Sequence, residues 1–325
     1  MKKKKITHYS GIGGQAVLEG VMMRNKDLYS VAVRKPDGNI HVEIDEYHSK
    51  LSGSALLRIP FVRGIFVFID SIILGSRAIN FSSSFYEDEE ESTKLDELCD
   101  KVTNGNGEKV FSMVTTIIAF AIAILLFLVI PERLSGLMGK YLQSVILRSV
   151  IEGIIRIAIF IAYVLLISLL PDIKRLFMYH GAEHKCINCI ENGLPLTVDN
   201  VRKSSRLHKR CGSSFILFVL IVSIVLFMFI RTDSVVLRIV YRILLMPVIS
   251  GISYELIRLA GRSDNKLINT LSKPGLMLQK LTTSEPDDSM IEVGIASVEA
   301  IFDWKSYQRD AFGYDFDDIE YEEVE

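Results

Sequence analysis

Two stretches of this chain, Val110 to Ile130 and Gly212 to Ile230, contain no charged side chain. At about 1.5 Å rise per residue, a helix of either length covers roughly the hydrocarbon thickness of a bilayer. Both read as transmembrane helices. Ser149 to Leu170 and Ser234 to Tyr254 are also apolar, but each carries a charged pair near one end, Glu152 with Arg156 and Arg238 with Arg242. They are expected to span as well. Charge inside a span is costly, so these side chains should face the bundle interior, water or the headgroups. The i,i+4 spacing of Glu152 and Arg156 lets that pair neutralise itself, and snorkelling to the interface is the blander reading. With 49% hydrophobic residues and a mean hydropathy of +0.31, the whole chain is too apolar for an ordinary soluble protein. The lipid bilayer is its first expected partner.

A formal net charge of -2 gives no reason to expect a nucleic-acid partner. The distribution of charge says more. Lys174, Arg175, Lys185, Arg202, Lys203, Arg206, Lys209 and Arg210 fill the loop between the second and third spans, and Lys2 to Lys5 open the chain. By the positive-inside rule both segments lie in the cytosol, and four spans return the C-terminus to the same side. Lys2 to Lys5 lead into the polar, glycine-rich Thr7 to Gly14 instead of an apolar core, so no secretory signal is read. Cys99, Cys186, Cys189 and Cys211 are then expected as reduced thiols.

The N-terminal region should be a small β element. Tyr29, Val31 and Val33 alternate with small or polar residues, Pro36-Asp37-Gly38-Asn39 supplies a turn, and Ile40, Val42 and Ile44 alternate on the return. One buried face is expected, covered or extended by a Gln15 to Met23 strand or by the C-terminal segment. Just upstream, Gly13, Gly14, Gln15, Glu19 and Arg24 form a candidate anion or interaction site, because glycine-rich backbone can turn its N–H groups into a concavity. A tight turn before a strand explains the same glycines. In Leu56 to Ile79, Arg63, Asp70 and Arg77 recur every seven residues, one polar stripe on an interfacial amphipathic helix, with a fifth span as the alternative.

The resulting plan is residues 1–50 as a cytosolic glycine-rich segment and hairpin, 51–81 as the interfacial helix, 82–109 as an acidic mobile linker, and 110–260 as the transmembrane region with a cytosolic loop at 171–212. Residues 261–313 form a cytosolic helical segment and 314–325 an acidic disordered tail. Pro274-Gly275 and Glu285-Pro286 should punctuate two short helices in the C-terminal segment, with Thr283 or Ser284 capping the second.

The chemistry concentrates in His180-Gly181-Ala182-Glu183-His184. On a helix the two histidines lie one turn apart with Glu183 beside them, the His-x-x-Glu-His arrangement of inverted zincins. Such a site needs two imidazoles, a carboxylate near the metal-bound water and a third ligand from elsewhere. His208 is the first candidate for that ligand, Glu255 the second and Glu191 the third. Alternating spans would bring His180, His208, Cys211 and Glu255 to one membrane face. A competing metal scheme pairs Cys186-x-x-Cys189 with His208-x-x-Cys211 as a structural zinc ribbon. Without any metal, the histidines would cap and hydrogen-bond while the thiols pack as small apolar groups.

Gly13 to Arg24, Tyr179 to Lys185, His208 to Phe215, Gly251 to Arg258 and Pro274-Gly275 to Pro286 together resemble the YqhQ-like family of bacterial membrane proteins, described as uncharacterised and predicted to be metal-dependent enzymes. The resemblance spans nearly the whole chain. It implies that His180, Glu183, His184, His208, Cys211 and Glu255 belong to the family pattern, and that cysteines at 186 and 189 do not. It also covers Gly14, Gln15, Glu19 and Arg24 without giving them a role. The expected fold is a mainly α membrane protein with about four transmembrane helices, one interfacial helix and a small N-terminal β-hairpin, multi-pass in the bacterial cell membrane with both termini cytosolic. The expected function is a divalent-metal enzyme, hydrolytic and zinc-dependent, with Glu183 as general base and an unknown substrate. The alternative is a non-enzymatic membrane scaffold or membrane-protein biogenesis factor built around a structural metal or hydrogen-bond cluster. Transport is favoured only if the charged residues of the spans line a cavity near the bilayer midplane.

Overall fold

The computed structural model describes residues 8–49, 54–86, 107–138, 144–230, 232, 234–262 and 266–314. The Pro36-Asp37-Gly38-Asn39 turn joins β3 (Leu28–Arg34) to β4 (Ile40–Glu46), pairing Arg34 with Ile40 and Val31 with Glu43. Upstream lie two strands, not one: β1 (Gly13–Val17) and β2 (Gly20–Asn25) turn back on each other through Leu18-Glu19, where Glu19 adopts φ +48°. The result is a four-stranded antiparallel meander in chain order.

Both faces of this sheet are covered, where the alternation predicts one. On one face Tyr29, Val31 and Val33 pack with Val17, Met22 and with Leu74 and Ala78 of α1 (Val62–Ser83). The polar stripe of α1 faces protein: Asp70 accepts from the Tyr47 hydroxyl at 2.9 Å, and the Arg77 guanidinium lies 5.5 Å from the Tyr47 ring. Its Ile69, Ile72 and Ile73 are left exposed. The other face is covered because Ser30 and Ala32 are small enough for a C-terminal helix to approach closely. The Ser30 hydroxyl donates to the Ser297 carbonyl at 2.6 Å, and the Ser297 hydroxyl to the Val21 carbonyl at 3.0 Å.

Helix α2 (Gly107–Ile124) widens into a π-helical stretch at Leu125–Val129 and continues as α3 (Ile130–Leu137). Then come α4 (Val145–Ile167), α5 (Pro171–Glu191), α6 (Val198–Lys203), α7 (Gly212–Phe227) and α8 (Val235–Arg262). The chain closes with α9 (Lys266–Thr282), α10 (Asp288–Glu299) and α11 (Trp304–Phe312). Of the linker expected at 82–109, Ser82 and Ser83 close α1 and residues 107–109 open α2, while 87–106 lie outside the described residues. So do Lys2 to Lys5, Cys99 and residues 315–325 of the acidic tail. Pro274 does not start a helix but sits inside α9, and the cap of α10 is Asp287, whose carboxylate accepts from the Met290 N–H at 3.0 Å, not Thr283 or Ser284.

The protein is mainly helical. Among the described residues, Met113–Leu137, Ile146–Ile167 and Val235–Gly261 are helices long and apolar enough to cross a membrane. Gly212–Phe227 is apolar but shorter, at 16 residues. Two compact units are distinguishable. The first comprises Met1–Tyr86, Leu166–Phe218 and Ser250–Glu325 and holds the sheet; the second comprises Glu87–Leu165 and Val219–Ile249. In the second unit the charged side chains of these apolar helices are buried against one another. Glu152 accepts from Arg156 at 2.6 Å and from Arg242 at 2.7 Å, and Glu132 from Arg238 at 2.7 Å, with all but Arg238 nearly inaccessible.

Candidate metal centre

Pro171 opens α5 at a position where its missing N–H costs nothing, and Asn192 with Gly193 at φ +71° closes it. Between them the helical repeat aligns His180, Glu183 and His184. Gly181 faces away from them, where a β-carbon would run into the Ser284 carbonyl, so the chain after α9 lies directly against α5. That close passage brings the Thr282 carbonyl to 2.8 Å from His180 Nδ1. The segment before α7 likewise brings the Arg206 carbonyl to 2.6 Å from His184 Nδ1.

A carbonyl oxygen can only accept, so in each imidazole Nδ1 carries the hydrogen and Nε2 keeps the lone pair. One ring nitrogen of each histidine and Cys211 Sγ all lie within 4.8 Å of one another, and the two ring centres are 4.4 Å apart. His180 Nε2 is 3.1 Å from the sulfur; His184 Nε2 is buried with no hydrogen-bond partner. Cys211 sits immediately before α7, with the Ser213 N–H donating to its sulfur at 3.4 Å.

Glu183 borders the same space, with Oε2 3.8 Å from His180 Nε2 and 3.9 Å from His184 Nε2. Burial pushes its carboxyl up to about 7, against the opposing pull of the His180 charge and the Gly14 N–H. Gly14 is glycine for a steric reason: a β-carbon there would lie 2.9 Å from Glu183 Cγ and 2.6 Å from the Met22 carbonyl.

The other candidate residues do not belong to this three-residue group. His208 is held through its backbone by Gln279, which accepts from the His208 N–H at 2.8 Å and donates to its carbonyl at 2.6 Å. Its buried Nε2 is 3.6 Å from Glu191, beyond hydrogen-bonding distance, and its ring centre is 5.7 Å from that of His184. Burial pushes its imidazole down to about 4. Glu191 accepts from the Ser10 N–H at 2.9 Å and hydroxyl at 2.7 Å and from Arg210; although burial works the other way, His208 and Arg210 hold its carboxyl at about 2. Glu255 is engaged by Arg63, with contacts of 2.6 and 2.5 Å.

Cys186 and Cys189 are buried in the apolar core. Cys189 Sγ approaches the Pro195 carbonyl at 3.3 Å, and a β-carbon on Gly294 would meet Cys186 Sγ at 2.9 Å. Burial raises the Cys186 thiol and pushes Cys189 up to about 11. Among the described residues neither belongs to a three-ligand group. The residues of the glycine-rich motif knit β1 and the turn after it to their surroundings. Glu19 accepts from Arg175 and from the Tyr179 hydroxyl at 3.2 Å, fastening the turn to α5. Gln15 packs against Gly75, Gly13 is partly open at the start of β1, and Arg24 donates to the Lys26 carbonyl at 2.7 Å. Sequence reasoning missed the carbonyls of Arg206 and Thr282, which no side-chain pattern announces, and Gln279, a buried amide in an apolar run.

The chain matches a family model described as "Protein of unknown function (DUF1385)" over residues 59–304. It belongs to that family. The DUF1385 match contains His180, Glu183, His184, His208, Cys211 and Glu255, and begins after the sheet that supplies Gly14. The chain is also 38% identical, over 300 residues, to "Uncharacterized protein YqhQ" of Bacillus subtilis (strain 168), covering 91% of this chain and 93% of that protein. No solved structure matches.

Proposed function

We propose that this DUF1385 protein is a multi-pass membrane enzyme of the bacterial cell membrane, with a divalent-metal site at its cytosolic face, zinc as the ion and hydrolysis as the reaction class. His180 and His184 hold the ion through Nε2, and Cys211 holds it through sulfur. The observation that carries the reading is that both imidazoles donate Nδ1–H to a backbone carbonyl, which leaves both Nε2 lone pairs free of the main chain, and that both rings group with the same sulfur. That is how metal-binding histidines are oriented and made more basic. Two imidazoles and a thiolate suit zinc, which with three protein ligands keeps a position open and supplies Lewis-acid chemistry toward a carbonyl or phosphoryl oxygen. Glu183 is the general base. Its carboxylate lies 3.8 and 3.9 Å from the two Nε2 atoms, and the Gly14 N–H steadies it.

In this reading α7 is a fourth span, both termini are cytosolic, and α1 lies at the interface with its exposed isoleucines toward lipid. The basic residues of the α5–α7 region support that orientation.

The test is metal analysis of the purified full-length chain under reducing conditions. One equivalent of zinc is expected in the wild type, loss of it in His184→Ala and Cys211→Ser, and retention in Glu183→Gln. A wild-type protein with no stoichiometric metal would end the proposal. The 3.1 Å approach of His180 Nε2 to Cys211 Sγ favours the second reading, a thiol–imidazole hydrogen-bond cluster in a non-enzymatic scaffold or biogenesis factor, and the metal-free outcome selects it.

A further inference from the structure

The second unit contains a cluster of charges that the metal centre does not use. Glu152, Arg156 and Arg242 are 6%, 3% and 3% exposed. A single carboxylate serves both guanidinium groups, at 2.6 and 2.7 Å. The remaining donors of Arg156 are occupied: Nε donates to the Phe127 carbonyl at 2.8 Å and Nη1 to the Ser223 hydroxyl at 3.2 Å. Those of Arg242 are not, since its Nε and Nη1 are buried without a hydrogen-bond partner. Both guanidinium carbons lie 5.0 Å from the ring centre of Phe227, a π face that the two cations share.

Among the described residues, two arginines against one glutamate leave one positive charge in excess. Arginine cannot shed its proton, and a buried charge without a partner is strongly unfavourable, more so within a bilayer. Among the described residues Glu132 offers no surplus anion either, because it already faces Arg238 at 2.7 Å and Arg148 at 3.7 Å. Position in the helix matters too. Arg238 and Arg242 are three and seven residues from the start of α8, about 5 and 10 Å along its axis, so a ladder of charge leads from the helix end inward.

We propose that the Glu152–Arg156–Arg242 cluster is a binding site for a phosphate-type oxyanion, with Arg242 as its principal donor. Guanidinium groups favour oxygen anions of this kind. The anion could come from free phosphate or from the headgroup of an anionic lipid. This assignment is independent of the metal centre.

The experiment follows thermal unfolding of the full-length chain purified in a phosphate-free, non-ionic detergent. Sodium phosphate is titrated against sodium chloride at matched ionic strength, and phosphatidylglycerol against phosphatidylcholine. A saturable rise of several degrees in the unfolding midpoint is expected with phosphate or with phosphatidylglycerol, and the arm that responds identifies the source. Arg242→Gln should abolish the response without lowering the midpoint in the absence of anion. Glu152→Gln, which doubles the surplus charge, should enlarge the response and covers the case in which Arg242→Gln does not fold. The assignment is overturned if neither arm responds, if chloride reproduces the phosphate effect, or if R242Q responds like the wild type.

Discussion

Replacing His208 with glutamine should flatten the acid side of the stability profile. The imidazole is buried and pushed down to about 4, whereas in the unfolded chain it titrates at about 6.5. Between those values the unfolded chain takes up a proton that the folded protein refuses, so stability rises with pH across that window and is lost as pH falls through it. At about 1.4 kcal/mol per pH unit, going from pH 7.5 to pH 4.5 costs the wild type roughly 3 kcal/mol through this residue alone. Glu191 adds little within that window, because its folded value near 2 places its own loss at lower pH. Because Nε2 of His208 has no hydrogen-bond partner, the glutamine strips no bond from that nitrogen. The assay is denaturant unfolding in detergent at the two pH values for each protein, and the quantity compared is each protein's own pH difference. Any proton competition at the proposed metal site enters both differences and cancels. Equal differences for wild type and H208Q would refute the reasoning.

Gly14→Ala places a β-carbon against a carbonyl, a sulfur and Glu183 at once and should destabilise by about 1–3 kcal/mol, while zinc content measured on the surviving folded fraction stays near one equivalent. Leu74→Ala opens the layer between α1 and the sheet and should cost about 2–5 kcal/mol in chemical unfolding, whereas Ile72→Ala on the exposed face of the same helix should change detergent-phase stability by less than about 0.5 kcal/mol. Asp287→Ala removes the cap of α10 and should lower stability by about 1 kcal/mol, with faster hydrogen exchange confined to the first turn of that helix.

What could be read from the sequence followed from short-range periodicity. The β3–β4 hairpin was legible because a Pro-Asp-Gly-Asn turn separates two alternating runs, and the α1 stripe because a seven-residue spacing keeps charges on one helix face. The β1–β2 turn was not, because Leu18-Glu19 is no turn signature; Glu19 is held at positive φ in a turn that Arg175 and Tyr179 clasp from more than 150 residues away. The same limit applies to the centre. His180, Glu183 and His184 share one helix, so their spacing alone aligns them. Which of His208, Cys211 and Glu255 joins them depends on where α7 begins and on Gln279 and Arg63, which fix the His208 backbone and the Glu255 carboxylate. The charges of the apolar helices were visible, but sequence could not show that they are buried against one another, which depends on neighbours contributed by other helices.

The orientation of both imidazoles is set by main-chain oxygens at Arg206 and Thr282, not by carboxylate side chains. A saturation scan should therefore find positions 206 and 282 far more permissive than 180 or 184, although all four direct the same lone pairs. The vulnerability lies in the path of the chain: a one-residue insertion or deletion beside either carbonyl would turn a ring away while leaving every side chain of the site present. Comparing relatives by residue identity alone would miss that dependence, and the informative signal would be invariant loop length on either side of the centre.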